Sequence, residues 1–386
     1  MSVKNGVKLD PSPWFDLLAE YQLTTLPHDT VLRGVLREDL SPDHPEVLQA
    51  MAEWPAPVHL EHGVDGTDIV LVYQLKEPHP DSLVMHAFLL VVTLVTTLGS
   101  GALMRGVDPF STRYVEFLGV TLPYPSGLDG MELWLGASFA VPFLGVLLTH
   151  EMGHFYAARA HRVRASLPYF LPFPPYFSVI GSLGAFIRLR GPTVRRSSLF
   201  DIGVSGPVAS FLISLPLFAV GLGWSRVTAV DADVWTPFAI FFAGQPVYLG
   251  NGVLTHVMAG LFGPGGAGDG LILLHPVALA GWLGLFVTAL NLLPMGQLDG
   301  GHILYALFPR RHTRIARFFL LSLVPLGALW WGWWAWALLI LVLHRGRVDH
   351  PSVILPEPVM DRTRRVFGWM VILIFLLTFA PVPLQL

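Results

Sequence analysis

The sequence predicts a polytopic α-helical membrane protein with a re-entrant β-like element and a small N-terminal soluble α+β domain. Three observations predict it. Of 386 residues, 53% are hydrophobic and 13% charged, against about 25% charged in an ordinary soluble domain. Several runs stay uncharged for long enough to cross the roughly 30 Å hydrocarbon core of a bilayer. Between two of them lies a stretch that is apolar yet broken by proline and glycine, which suits neither a regular helix nor a solvated loop. The net charge of -3 gives no reason to expect a nucleic-acid partner. The chain has no cysteine, so disulfides, thiolate zinc sites and iron–sulfur clusters are excluded, and any metal must be held by His, Asp or Glu.

Residues 1–82 read as the soluble domain, an accessory module with no catalytic constellation. No basic-then-apolar leader opens it, so it is expected to stay on the side where it is made. Helices are expected over 14–21 and 45–54, the second announced by Ser41, Pro42, Asp43 and Pro45. Strands over 58–60 and 68–75 flank Gly63 and Gly66, a hairpin pattern.

Residues 83–386 form the membrane domain, with a core at about 131–308. The first crossing, Leu83–Met104, has 22 residues and no formal charge, about 33 Å at 1.5 Å per residue. The second runs over 133–160. The third, 202–225, contains Gly203, Ser205, Gly206, Pro207, Ala209 and Ser210, small residues that let a neighbouring helix approach closely. Residues 234–268 are uncharged but interrupted by Pro237, Gly244, Pro246, Gly250, Gly252 and Gly260. A fourth span covers 276–293. Residues 318–343 are few for two full spans, and we expect a short hairpin turning near Trp330, Trp331, Gly332 and Trp333, with a single tilted span, which would put the following arginines outside, as the competing reading. The last crossing is 366–380.

The interrupted apolar stretch holds Pro168, Pro172, Pro174, Pro175, Gly181 and Gly184. It is expected to be re-entrant with a β-like piece over 185–189, tolerable at membrane depth only where it lines a cavity or is covered by protein. Such a piece offers an edge to an extended peptide, which makes Gly184 and Phe186 candidate substrate contacts.

The chemistry concentrates in His150-Glu151-Met152-Gly153-His154. On a helix, residues four apart share a face, so two imidazoles can hold one zinc ion. Glu151 lies about 100° further round, better placed to handle water than to be a third ligand. A zinc hydrolase is the first expectation. A His pair in a membrane helix also suits haem or a proton relay, and a carboxylate such as Asp299 also suits a helix cap. If Asp299 is to meet His150, the fourth span must run in the same direction as the second. The broken stretch 234–268 must then add no net crossing. Most arginines cluster at one end: Arg159, Arg162 and Arg164 after the motif, then those of 188–196, 310–317 and 345–365. The opposite side has Arg105, Arg113 and Arg226. The positive-inside rule puts the motif end and the N-terminal domain in the cytoplasm.

The paired motifs, His150-Glu151-Met152-Gly153-His154 and Asn291-x-x-Pro294 followed by Leu298-Asp299-Gly300, resemble those of the site-2 protease family of intramembrane zinc metalloproteases. Ser182-Leu183-Gly184-Ala185 is similar to that family's glycine-containing re-entrant segment. The resemblance covers about 133–308. It implies that His150, His154 and Asp299 bind zinc, that Glu151 is the general base, and that Asn291 holds or polarises the substrate backbone. No pattern marks an inserted PDZ module or a C-terminal nucleotide-sensing module. The leading expectation is therefore an endopeptidase that cuts a transmembrane protein substrate near the cytoplasmic face, in contact with membrane lipid. The alternative is a non-proteolytic transporter or binding protein using the His/Asp cluster.

Overall fold

The structure, a computed structural model, describes residues 11–25, 29–54, 58–62, 66–74, 81–190, 195–228, 236–264, 270–343, 346, 348, 350, 353 and 360–385. The turn expected around 63–65, both ends of the broken stretch at 234 and 268, and Arg345 and Arg347 lie outside these residues.

The N-terminal part builds an antiparallel sheet of four strands, Leu18–Thr25, Asp29–Leu36, Thr67–Gln74 and Val58–His62 in spatial order. The helix Pro45–Glu53 covers it, and its core joins Trp14, Leu32, Val47, Trp54, Ile69 and Leu71. The hairpin of Val58–His62 with Thr67–Gln74 forms as expected. The helix expected over 14–21 does not: it ends at Phe15, and Leu18–Thr25 is a strand paired to Asp29–Leu36. Its apolar residues suit either period, and the cross-strand ladder decides.

The helical part is mixed with sheet. Leu83–Met104 and Arg196–Gly223 are long and apolar enough to cross a membrane by length and composition. The helix Ala137–Ala160, which carries the motif and is called the motif helix below, has 24 residues, about 36 Å. Pro276–Asn291 and Arg362–Thr378 are shorter apolar helices. Arg196–Gly223, the small-residue helix, packs against the motif helix on one side and Pro276–Asn291 on the other.

Helix directions follow from close approaches. A Cβ on Gly221, near the end of the small-residue helix, would meet the Ala278 backbone nitrogen at 2.2 Å, and Ser225 Oγ accepts from the His275 amide at 3.0 Å. The stretch between them thus returns to the end it left, and Pro276–Asn291 runs parallel to the motif helix. At that end the stretch folds into strands Arg226–Thr228, Phe238–Phe242, Gln245–Leu249 and Leu271–Leu273 and the helix Val253–Phe262, with the C-terminal strand Leu384–Gln385 completing a five-stranded sheet. A second element unforeseen from sequence is the hairpin of Arg113–Phe117 with Val120–Tyr124. The helices His312–Leu329 and Gly332–Leu343 fold back on each other at Trp330 and Trp331, where Trp334 Nε1 donates to the Val324 carbonyl at 2.9 Å.

The stretch expected to be re-entrant is a small antiparallel hairpin of Tyr169–Pro172 with Ser182–Phe186. The strand begins three residues before the expected 185 and stops at Phe186. A separate two-residue strand, Leu189–Arg190, pairs with Arg164–Ala165 just beyond the motif helix.

Candidate metal centre and peptidase site

His150 and His154 project from one face of the motif helix, and Asp299 comes from the first turn of the helix Asp299–Leu307. Asp299 Oδ2 lies 3.3 Å from each imidazole Nε2, and the two Nε2 atoms are 3.1 Å apart. For ligand bonds of 2.0–2.1 Å, the edge of a tetrahedron is about 3.3 Å. Among the described residues these three are the only group of His, Asp or Glu placed to share a metal ion.

The outer ring nitrogens explain why those edges converge. His154 Nδ1 is 2.7 Å from the Ile202 carbonyl, and His150 Nδ1 is 3.0 Å from Ser210 Oγ. A carbonyl can only accept, so the proton of His154 sits on Nδ1 and its Nε2 offers a lone pair. Ser210 Oγ, backed by the Pro207 carbonyl at 3.1 Å and Thr288 Oγ1 at 2.9 Å, favours the same tautomer for His150. Two lone pairs and a carboxylate then face one another across about 3 Å inside a buried pocket, which a cation between them reconciles. The donor set fits zinc: imidazole nitrogens and a carboxylate oxygen, with three protein ligands and room for a fourth.

The small residues of Arg196–Gly223 make this arrangement possible. A Cβ on Gly206 would lie 2.2 Å from His154 Nε2, and one on Gly153 would lie 2.6 Å from the Ser205 carbonyl oxygen. With glycine at both positions the helices close until Ile202 and Ser210 reach the imidazoles. Sequence reading picked out these residues for packing alone; the second-layer roles of Ser210, Thr288 and the Ile202 carbonyl were missed. A hydroxyl two turns from a histidine on another helix has no linear signature.

Glu151, next to His150 on the motif helix, is 7% exposed. The strand Ser182–Phe186 packs against the motif helix. Asn291, the last residue of its helix, places Nδ2 3.2 Å from His150 Nε2. The structure thus brings His150, Glu151, His154, Asp299 and Asn291 together. Gly184, at φ +111, has open space where a side chain would project, and Phe186 is half-exposed and stacks on Tyr169 at 5.3 Å. Both lie on the strand Ser182–Phe186, which is paired on one side to Tyr169–Pro172. His302, next along the Asp299 helix, faces away into a contact with His350 at 2.6 Å.

Residues 138–324 match the peptidase family described as Peptidase family M50. The chain is similar to the Arabidopsis thaliana protein named Probable zinc metalloprotease EGY1, chloroplastic, with 30% identity over 67% of this chain and 47% of the relative. The Oryza sativa protein of the same name is 31% identical over 61% of this chain and 40% of the relative. The Arabidopsis Probable zinc metalloprotease EGY2, chloroplastic, is 28% identical over 67% and 44%. The chain thus spans less than half the length of these relatives. No solved structure matches.

Proposed function

Because this chain belongs to peptidase family M50, the site-2 protease family of zinc metalloproteases, we propose that it is an intramembrane endopeptidase that cuts a transmembrane segment of another protein near the cytoplasmic face. The observation that carries the reading is the convergence of two oriented imidazole lone pairs and one carboxylate, at tetrahedral spacing, within a bundle of apolar helices.

The proposed roles are as follows. His150, His154 and Asp299 hold the metal, which when bound polarises a peptide carbonyl and lowers the pKa of water. Glu151 takes a proton from the attacking water and delivers it to the leaving amine nitrogen. Asn291 Nδ2 positions the substrate backbone beside His150. A helical substrate hides its carbonyls in backbone hydrogen bonds and must be unwound to reach the site. The unpaired side of Ser182–Phe186, with Gly184 open and Phe186 half-exposed, provides an edge for the unwound strand.

The membrane setting is supported by large apolar side chains facing outward from the helices, among them Phe88, Val91, Leu212, Val220, Leu321 and Leu376. Such a belt is stable against lipid rather than water. His150 lies about 15 Å from the arginine-rich end of its helix, where the positive-inside rule places the cytoplasm. The chain is accordingly read as multi-pass, with the N-terminal domain cytoplasmic and substrate and lipid as partners. Residues 1–82 are proposed as an accessory unit and 83–386 as the protease unit.

The test measures bound zinc and cleavage of a model transmembrane substrate for wild type and Glu151→Gln. The variant is expected to keep zinc and lose turnover by about 10²- to 10⁴-fold, the usual contribution of a general base. Zinc bound with turnover unchanged would refute the assignment.

A further inference from the structure

Beyond the peptidase site, at the end of the motif helix, lies a cavity of about 570 Å³ lined by Arg159, Arg162, Arg164 and Arg190 with one carboxylate, Asp81. The remaining lining is apolar or backbone: Phe155, Val163 and Ala165. Asp81 is engaged by Arg190 and by the Tyr169 hydroxyl, which donates to it at 2.9 Å. Among the described residues the lining thus carries four guanidiniums and one carboxylate. The Arg159 guanidinium carbon lies over the Phe155 ring, 5.6 Å from its centroid. Like charges crowded around a concave space at the membrane interface raise the local affinity for an anion.

The elements that supply these arginines matter. Arg159 lies in the last turn of the motif helix and Arg162 two residues beyond it, whereas Arg164 and Arg190 face each other across the two-residue ladder that leads back to Ile187. Ile187 follows directly on the strand Ser182–Phe186, which packs against the motif helix. We propose that this pocket binds a phosphate oxyanion, from a lipid headgroup or a free phosphate, which bridges the motif helix to the strand Leu189–Arg190. Guanidinium forks match phosphate geometry in a way single ammonium groups do not. The anion also relieves the repulsion among the four arginines, so its binding steadies the segment that carries Ile187. This proposal stands apart from the peptidase reading, because none of its readouts is cleavage.

The test uses the full chain in nanodiscs. One arm contains phosphatidylcholine with a minority of phosphatidylglycerol, and native mass spectrometry weighs the lipid retained by wild type, Arg159→Gln/Arg162→Gln, and the charge-preserving Arg159→Lys/Arg162→Lys. The other titrates inorganic phosphate into phosphatidylcholine nanodiscs and follows the thermal midpoint and the amide exchange of residues 182–190. Wild type is expected to prefer the anion and to protect those amides. The glutamine pair is expected to bind it about thirtyfold more weakly, as follows from removing two arginines near an anionic headgroup. The lysine pair should lose less. Zinc content equal to wild type shows that the variants are folded. Preference confined to the first arm identifies a lipid, and response in the second a soluble phosphate. Wild type showing no preference in either arm, or folded glutamine variants binding as wild type does, would overturn the proposal.

Discussion

Gly206→Ala tests how the metal centre is built, because the substitution adds one methyl group on the helix facing the ligand rather than on a ligand. The new Cβ would stand 2.2 Å from His154 Nε2, with Cδ2 and Cε1 at 2.6 Å. Ordinary contact begins near 3.4 Å, so ring and methyl must separate by about 1.2 Å. The ring cannot yield freely. Its Nδ1 is bound to the Ile202 carbonyl, one turn earlier on the same helix as Gly206. Retreat therefore breaks that hydrogen bond or parts the helices, and either displaces Nε2 from its 3.3 Å spacing to Asp299. Disturbing such support costs about 10- to 100-fold in metal affinity. Helix propensity pulls the other way, since alanine in place of glycine favours a helix by about 1 kcal/mol. The expected phenotype is thus a folded protein with weakened zinc. Zinc competition with a chelator, read beside the thermal midpoint, separates the two. A folded Gly206→Ala protein with wild-type zinc affinity would refute the steric account.

Ser210→Ala removes the acceptor of His150 Nδ1 without changing packing volume much, and zinc affinity should again fall by about 10- to 100-fold; unchanged affinity would show that Ser210 does not set the tautomer. Asp201→Asn leaves Arg364 and His161 without the carboxylate they share, at 2.6 and 2.9 Å. The side chains are about a quarter exposed, so solvent screening limits the loss of stability to about 1 kcal/mol, visible as a lower thermal midpoint; an unchanged midpoint would refute a fastening role at the helix ends. His59 offers a pH test. Burial, then Arg195 and Arg162, hold its imidazole below the usual value, so the folded form is neutral where the unfolded form begins to bind a proton, near pH 6.5. The stabilisation is present above that pH and lost as pH falls below it. Thermal midpoints of wild type should therefore drop faster with acid than those of His59→Gln, and equal slopes would count against the assignment.

The sequence by itself pointed to His150 and His154 as a metal-binding pair, because their spacing is enforced by one helical turn, a local relation that the chain carries in four residues. It left open whether residues 318–343 make one tilted span or a hairpin near Trp330, and the fold decides for the hairpin, with Trp334 folded back onto Val324. The tertiary structure decided the rest. Leu18–Thr25 became a strand because its partner Asp29–Leu36 lies across the ladder, and apolar residues there satisfy either periodicity. Asp299 reached His150 because the stretch after Ser225 folds into a sheet and returns to the end it left. Ser210 and Ile202 acquired their roles from close approach of separate segments, permitted by the missing side chains of Gly153 and Gly206. Ligand identity is a property of covalent spacing, whereas ligand orientation is a property of packing. Only the second needed the fold.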